Sequence, residues 1–546
     1  MAQFRALPHF LHKRQRVAAL LCLVFGFLSF SFLVVSFLSH HVELQPSSGG
    51  VHTEGVLGSP HTINPLYALP GSADADVAAV IFSSLVKISP KNGEVVPDLA
   101  DQIAVSDDGL HYTFSLTQKA FWHDGTPVTA SDVAFTYRAL QNPLYRSPFT
   151  STYSGFTIEA TDDATVVFHL DKPNLYFLQL LTVGILPEHL WQSIEPNNAP
   201  YAALNTTPVG SGPFLFRRIV KSSNGNIFSI TLDANEQYYR QEAFLRRLIF
   251  KFFSTPKELE QAARSHAVDA TIDLPFSLAT SLQDDPGMRL LTAASSRFVV
   301  AFFETDTLPF SQKNVRLAFS GVISPQYVNN IPPSHWSLRA TDTLPQLSDE
   351  EAQKLLTEAG YSRNENGQLV DQSGKILTLS LVTIDDPRMQ TAAQDIKIAW
   401  ERLGASITLS TVDKTALQND IIPKRSFSVV LLAINPNPQD GYGTFWSSGS
   451  KSPSGMNISH FALSTMDDIA KSLDGTLTAE ARAEQTAAMI RVMQEQAPAV
   501  FLPRLPFLYI TRSTLQGIDV SFISSPSDRF CNITSWYRKT RWRFAH

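Results

Sequence analysis

The chain has 546 residues, too many for one ordinary core and, at roughly 150 residues per domain, enough for about three units. Its 44 Lys and Arg stand against 50 Asp and Glu, a formal net charge of -6 over the whole length, so charge gives no case for a nucleic-acid partner. Two cysteines, Cys22 and Cys531, exclude both a disulfide framework and a Cys-based zinc site within one chain.

In chain order, the first element is an apolar run. Residues 17–38, "VAALLCLVFGFLSFSFLVVSFL", carry no charge, and at about 1.5 Å per residue a helix of this length spans a bilayer. Arg5, Lys13, Arg14 and Arg16 precede it and Glu43 follows, which predicts a single-pass cell-membrane helix with residues 1–16 cytoplasmic and the bulk extracytoplasmic. The run is longer than a signal-peptide core, and "SFLSHH" offers no clean cleavage site. Cys22 lies inside the core behind Leu21, which argues against a lipoprotein signal.

Residues 39–50, ending in "QPSSGG", read as a polar tether. Val77, Val80, Ile81 and Leu85 then form one helical face, "PKNGEVVPDLA" makes a turn, and "HYTFSLTQ" and "ATVVFHLDKP" alternate as strands. "GNIFSITLDAN" and "LRRLIFKFF" are β-rich, and Thr255 with Pro256 opens a helix. Ser348 and Glu351 make a capping box before "AQKLLTEAGY". "ILTLSLVT", a helix closed by Gly404, "SITLSTV" and "FSVVLLAI" follow as a β-α-β unit, which requires parallel pairing and an α/β layer. "TAEARAEQTAAMIRVMQEQAP" is a helix stopped by Pro498, and "AVFLPRLPFLYI" is apolar and extended. The tail 531–546 mixes Arg538, Lys539, Arg541 and Arg543 with aromatics; it reads first as solvated and second as a contact for anionic lipid heads.

Enzyme templates fail along the whole length. The sequence has no P-loop, no G-x-G-x-x-G, no H-E-x-x-H, no G-x-S-x-G and no C-x-x-C, and its 14 histidines show no metal-ligand spacing, so neither a catalytic role nor a cofactor or metal is expected. The densest polar cluster, "FWHDGTPVTASDVAFTYRAL", also resolves into structure. Asp124-Gly125 is a turn, Thr129 with Asp132 caps a helix, and Val133, Tyr137 and Leu140 share that helix's apolar face. Only His123 is left without a local task.

The segment "PDLADQIAVSDDGLHYTFSLTQKAFWHDGTPVTASDVAFTYRAL" resembles the signature of the extracytoplasmic solute-binding proteins, family 5, which serve peptide-type ABC importers. "INPLY", "ILPEHLW", "PVGSGPFLF", "ANEQYY", "AVDATID", "NVRLAFS", "AQKLLTEAGY" and "GTFWSS" recur in that family's order from about residue 55 to 518. The resemblance implies a two-lobed, periplasmic-binding-protein-like α/β fold. Lobe I comprises 51–85, 205–296 and 495–530, with 86–204 inserted as a subdomain, and lobe II comprises 297–494. A peptide or similar solute is expected between the lobes, enclosed by hinge closure and delivered to ABC permease subunits. A sensor or scaffold of the same fold, or an oligosaccharide-binding importer subunit, remains the alternative.

In peptide-binding members a carboxylate after the strand equivalent to "FSVVLLAI" holds the ligand's α-amino group. Here that loop is "NPNPQDGYGTFW", with Asn435 and Asn437 where acids are expected and Asp440 as its one charge. The ligand-binding candidates are therefore Asp440, with Tyr442, Phe445 and Trp446 as stacking or lining aromatics, and Asn457 and Asn64 as polar cleft residues. The stretch "GVISPQYVNNIPP" also departs from the family pattern, being shorter and lacking its acidic-basic pair.

Overall fold

The computed structural model describes residues 17–18, 21–22, 24–33, 42–174, 176–222, 225–272, 274–295, 297–323, 346–413, 416–434, 445–451, 455–473, 479–504 and 506–544. Three sheets organise the described chain. An eight-stranded mixed sheet forms lobe I, in the order Phe522–Ile523, Met288–Ser295, Phe507–Arg512, Ala270–Ile272, Val51–Leu57, Arg247–Phe253, Ile227–Ala234 and Phe214–Lys221. A five-stranded sheet forms lobe II, in the order Ser406–Val412, Thr378–Ile384, Val429–Ile434, Phe298–Phe303 and Ala499–Arg504. A four-stranded antiparallel sheet, Ala100–Val105, His111–Leu116, Thr165–Leu170 and Phe156–Ala160, carries the inserted subdomain.

The β-α-β unit read from the sequence is present. Thr378–Ile384 pairs in parallel with both Ser406–Val412 and Val429–Ile434, and helix Pro387–Arg402 makes the crossover. Helices cover both faces of this sheet, so its inner strands Phe298–Phe303 and Val429–Ile434 are apolar throughout, whereas the edge strand Ser406–Val412 alternates. Val299, Ala301 and Phe303 enter one core while Val300 and Phe302 enter the core on the opposite face. The predicted caps also form: Ser348 Oγ accepts the Glu351 N–H at 3.2 Å, and Thr255 Oγ1 accepts the Glu258 N–H at 3.2 Å.

Three expected boundaries shift. "AVFLPRLPFLYI" is two strands in two different sheets: Ala499–Arg504 pairs with Phe298–Phe303 in lobe II, and Phe507–Arg512 pairs with Met288–Ser295 in lobe I. The chain thus re-enters lobe I at Phe507, not at 495. Residues 39–50 are not a free tether, because Val42–Ser47 pairs antiparallel with Lys539–Phe544. For the same reason 531–544 is not a free tail: its strand is paired and Trp536 is fully buried, with its ring centroid 5.6 Å from that of His52, while Lys539 and Arg541 keep their charges in solvent.

The cluster around His123 acts as a clasp between the inserted subdomain and lobe I. Asp132 Oδ2 accepts the Thr129 N–H at 2.8 Å, and Val133, Tyr137 and Leu140 are buried as expected. The half-buried His123 ring then bridges the "GSG" turn: Nδ1 accepts the Gly210 N–H at 3.2 Å, and Nε2 lies 3.1 Å from the Gly212 carbonyl oxygen. An N–H cannot accept and a carbonyl cannot donate, so the imidazole is the neutral Nε2–H tautomer. Glycine is required in this turn by close approach: a Cβ on Gly210 would stand 2.0 Å from the Ile81 carbonyl oxygen.

Candidate functional site

Strand direction locates the site. In lobe I, Val51–Leu57 and Arg247–Phe253 are parallel, and both run the same way as Met288–Ser295, which leaves lobe I for lobe II. In lobe II, Ile434 pairs with Phe298, the first residue after the crossing, so the C-terminal ends of Thr378–Ile384, Ser406–Val412 and Val429–Ile434 also point to the hinge. Both sheets therefore aim the carboxyl ends of their parallel strands at the gap between lobes, the place where open α/β sheets bind ligands. Arg297 ties the two crossing segments together, its guanidinium carbon 3.6 Å from the Phe507 ring centroid. The lobes touch where helix Phe276–Ser281 meets helix Pro387–Arg402.

At this end of lobe I lies an open groove of about 500 Å³, lined among others by Gly58, Ser59, Asn226, Phe228, Phe253 and Glu258. Phe228 is 49% exposed and offers apolar surface there. Two acids follow the hinge-directed end of Thr378–Ile384 in lobe II. Asp385 is exposed and accepts from Gln390 Nε2 at 2.9 Å, while the half-buried Asp386 caps the crossover helix and pairs with Arg388 at 2.8 Å. Burial favours the neutral Asp386 carboxyl, but the Arg388 guanidinium outweighs burial and holds the pKa below the ordinary range. Neither acid is among the candidates that the family motifs point to. Their signal is a strand followed by Asp-Asp-Pro and a helix, which is the cleft-facing turn of a β-α-β unit.

Of the predicted site residues, Asp440 and Tyr442 lie outside the described residues, as do Asn435 and Asn437. Phe445 and Trp446 are 1% and 0% exposed and belong to a lobe II core with Phe302 and Phe501. Asn457 is buried beside them, and its Nδ2 donates to the Ser447 and Phe461 carbonyls, both at 2.8 Å. These three come together in lobe II, where their visible contacts hold the loop to its own lobe. Asn64 sits apart in lobe I. Its Oδ1 accepts the Leu66 N–H and its Nδ2 donates to Asn205 Oδ1, each at 2.9 Å, which joins "TINPLY" to the end of the inserted subdomain.

Among the described residues one group of three possible metal ligands lies together. Single ligand atoms of Glu304, Asp306 and His460 lie within 4.8 Å of one another, at the end of Phe298–Phe303 remote from the hinge. Cations already occupy it, with Lys451 Nζ 2.8 Å from Asp306 and Arg425 paired with Glu304. A second positive charge there would meet repulsion instead of a free carboxylate.

Residues 94–456 match the bacterial extracellular solute-binding proteins, family 5, middle region. The oligopeptide-binding protein AppA of Bacillus subtilis is 24% identical over 487 residues, which cover 84% of this chain and 87% of its own. Among solved structures, the ABC transporter substrate-binding protein CtaP of Listeria monocytogenes superposes with a TM-score of 0.78 at 21% identity, over 90% of this chain and 100% of that one. NikZ of Campylobacter jejuni, solved with Ni(L-His), gives 0.72 at 23% identity, over 89% of this chain and 99% of that one. The two-lobed α/β architecture is thus shared, and the proteins that share it are solute-binding subunits rather than enzymes. With two thirds of its length matched and its two sheets converging on a cleft, the chain belongs to the bacterial extracellular solute-binding proteins, family 5.

Proposed function

We propose that the chain is the solute-binding subunit of an ABC importer, capturing peptides between its lobes outside the cell and handing them to the permease. The convergence of parallel-strand ends from both sheets on one hinged cleft carries this reading. AppA of Bacillus subtilis, solved with a nonapeptide, supports the solute class, and exposed Asp385 suits a ligand that carries an ammonium group. The test is a thermal-shift screen of the full chain in detergent against peptides, cello-oligosaccharides and nickel chelates. A peptide at 100 times its dissociation constant adds about 2.7 kcal/mol of stability. Silence with peptides and a shift with a sugar or a chelate would replace the solute class.

Within this reading Asp440 is the ammonium partner. Removing a charge-assisted hydrogen bond costs roughly 1.5–3 kcal/mol, so Asp440→Asn lowers peptide affinity at least about tenfold. An affinity kept within about twofold removes Asp440 from the role.

The same proposal places residues 17–38 in the membrane. Among the described residues no helix is long and apolar enough to cross one, but residues 24–33 are helical and Phe25, Phe27 and Phe32 are 70–73% exposed. Such a surface costs free energy in water and is at home in lipid. Sodium carbonate washing of cell membranes leaves the protein in the pellet; its release into the supernatant refutes the anchor.

A further inference from the structure

A pair of histidines outside the cleft carries an inference independent of the transport reading. His111 and His169 are direct register partners on neighbouring antiparallel strands of the inserted subdomain's sheet. Their Nδ1 atoms face each other at 2.9 Å, with ring centroids 5.0 Å apart and planes at 77°. His111 is exposed and the His169 side chain is 40% exposed, so the gap between the rings opens to solvent. Glu159 Oε2, on the next strand, lies 3.9 Å from the other ring nitrogen of His169.

This spacing is that of two neighbouring ligands on one ion. Imidazole binds first-row ions at about 2.0–2.1 Å, and two such bonds at a right angle set their nitrogens about 2.9 Å apart. A carboxylate behind a ligating imidazole favours the proton on the far nitrogen and leaves the near lone pair free; Glu159, at 3.9 Å, is on that side of His169 but acts through its charge rather than a hydrogen bond. Without an ion, two Nδ1 atoms at this distance share one proton, because two bare lone pairs repel. An ion takes the place of that proton, which moves through solvent to Nε2 of the same ring so that both imidazoles stay neutral, and water fills the remaining coordination positions.

We propose that His111 and His169 form a two-imidazole site for a divalent first-row transition ion, with Cu²⁺ preferred over Ni²⁺ and Zn²⁺ as the stability order for nitrogen ligands dictates. Strand pairing fixes both Cα positions, so the chelate is preorganised and binding orders only two side chains. The site lies on the outer sheet of the inserted subdomain. It acts on ion capture or on the stability of that sheet, not on the ligand between the lobes.

The test is calorimetric titration of the full chain in detergent with CuCl₂, NiCl₂ and ZnCl₂, beside His111→Asn, His169→Asn and the control His189→Asn. The expected result is one ion per chain in the wild type and the control, with affinity lowered at least about tenfold in either site variant and ordered Cu²⁺ over Ni²⁺ and Zn²⁺. Glu159→Gln weakens the ion a few-fold without changing the stoichiometry. Circular dichroism verifies that each variant is folded, and the ion raises the melting temperature of the wild type but not of the site variants. Equal uptake by all four proteins, or none by any of them, overturns the site.

Discussion

Arg529→Met lowers the stability of lobe I by about 3–5 kcal/mol, the cost of stripping the partner from buried charges. The Arg529 guanidinium is fully buried. Its Nε lies 2.8 Å from Glu54 Oε1, and its Nη1 and Nη2 lie 2.9 and 2.7 Å from the two oxygens of Asp76. Glu54 is also fully buried; its other oxygen contacts His52 Nε2 at 2.8 Å and accepts from Tyr509 Oη at 3.2 Å. Burial raises the Glu54 pKa, but the charge of Arg529 and the bond from His52 more than reverse it and hold the carboxyl below its ordinary range. Two carboxylates and one guanidinium thereby join three distant pieces of chain: strand Val51–Leu57, helix Ala73–Ile81 and the C-terminal segment around Pro526–Phe530.

Methionine fills much of the arginine's volume, so the loss in Arg529→Met comes from the two orphaned carboxylates. That assignment has its own test. In an Arg529→Met, Glu54→Gln, Asp76→Asn background no charge is left unpaired, and most of the loss returns, since replacing a whole buried ion group is often close to neutral. Hydrogen exchange of the Val51–Leu57 amides reads the opening free energy directly. If the single substitution costs under about 1 kcal/mol, or the triple variant is no better than the single, the network is not what holds the C-terminal segment.

This network shows where sequence reading stops. Capping boxes are local, and Ser348 with Glu351 or Thr129 with Asp132 were legible because both partners lie within one turn of helix. The β-α-β unit was legible because hydrophobic period and turn residues are properties of short windows. Arg529 meets Glu54 across 475 residues and Asp76 across 453, a pairing no window contains. The tail was misread for the same reason: Lys539 and Arg541 are exposed, as their charge suggests, but their strand pairs with Val42–Ser47 at the other end of the chain. The site divides in the same way. Family motifs placed the cleft between two lobes, but Phe445, Trp446, Asn457 and Asn64 resemble lining residues only by type. Whether an aromatic or an amide faces solvent or its own core depends on packing, and here the Asn457 amide is occupied by its own loop and the Asn64 amide by Leu66 and the distant Asn205.

His123, the one polar residue of its motif without a local task, has the second large effect, and it appears as a pH dependence. Burial lowers its pKa from 6.5 to about 4, against the smaller opposing influence of its bond to the Gly212 carbonyl. At pH 7 the imidazole is neutral in both folded and unfolded chains and contributes no slope. As pH falls through 6.5 the unfolded chain takes up a proton that the folded clasp refuses, so stability declines until the folded ring titrates near pH 4. About 2.5 units at 1.36 kcal/mol each amount to a loss of about 3 kcal/mol over that window. Asp528 works in the opposite direction. Its burial raises a carboxyl from 3.8 to about 6, so the folded chain binds that proton first and gains stability as pH falls from about 6 to 4. These two slopes oppose each other over the shared range, and other carboxylates titrate there too, so the acid stability of the wild type alone does not read the clasp. The difference between wild type and His123→Gln isolates the clasp: measured by urea denaturation, the wild-type advantage at pH 7 shrinks by about 3 kcal/mol by pH 4. A difference that stays constant with pH would mean that the imidazole is solvated and that the "GSG" turn is held to the inserted subdomain by something other than His123.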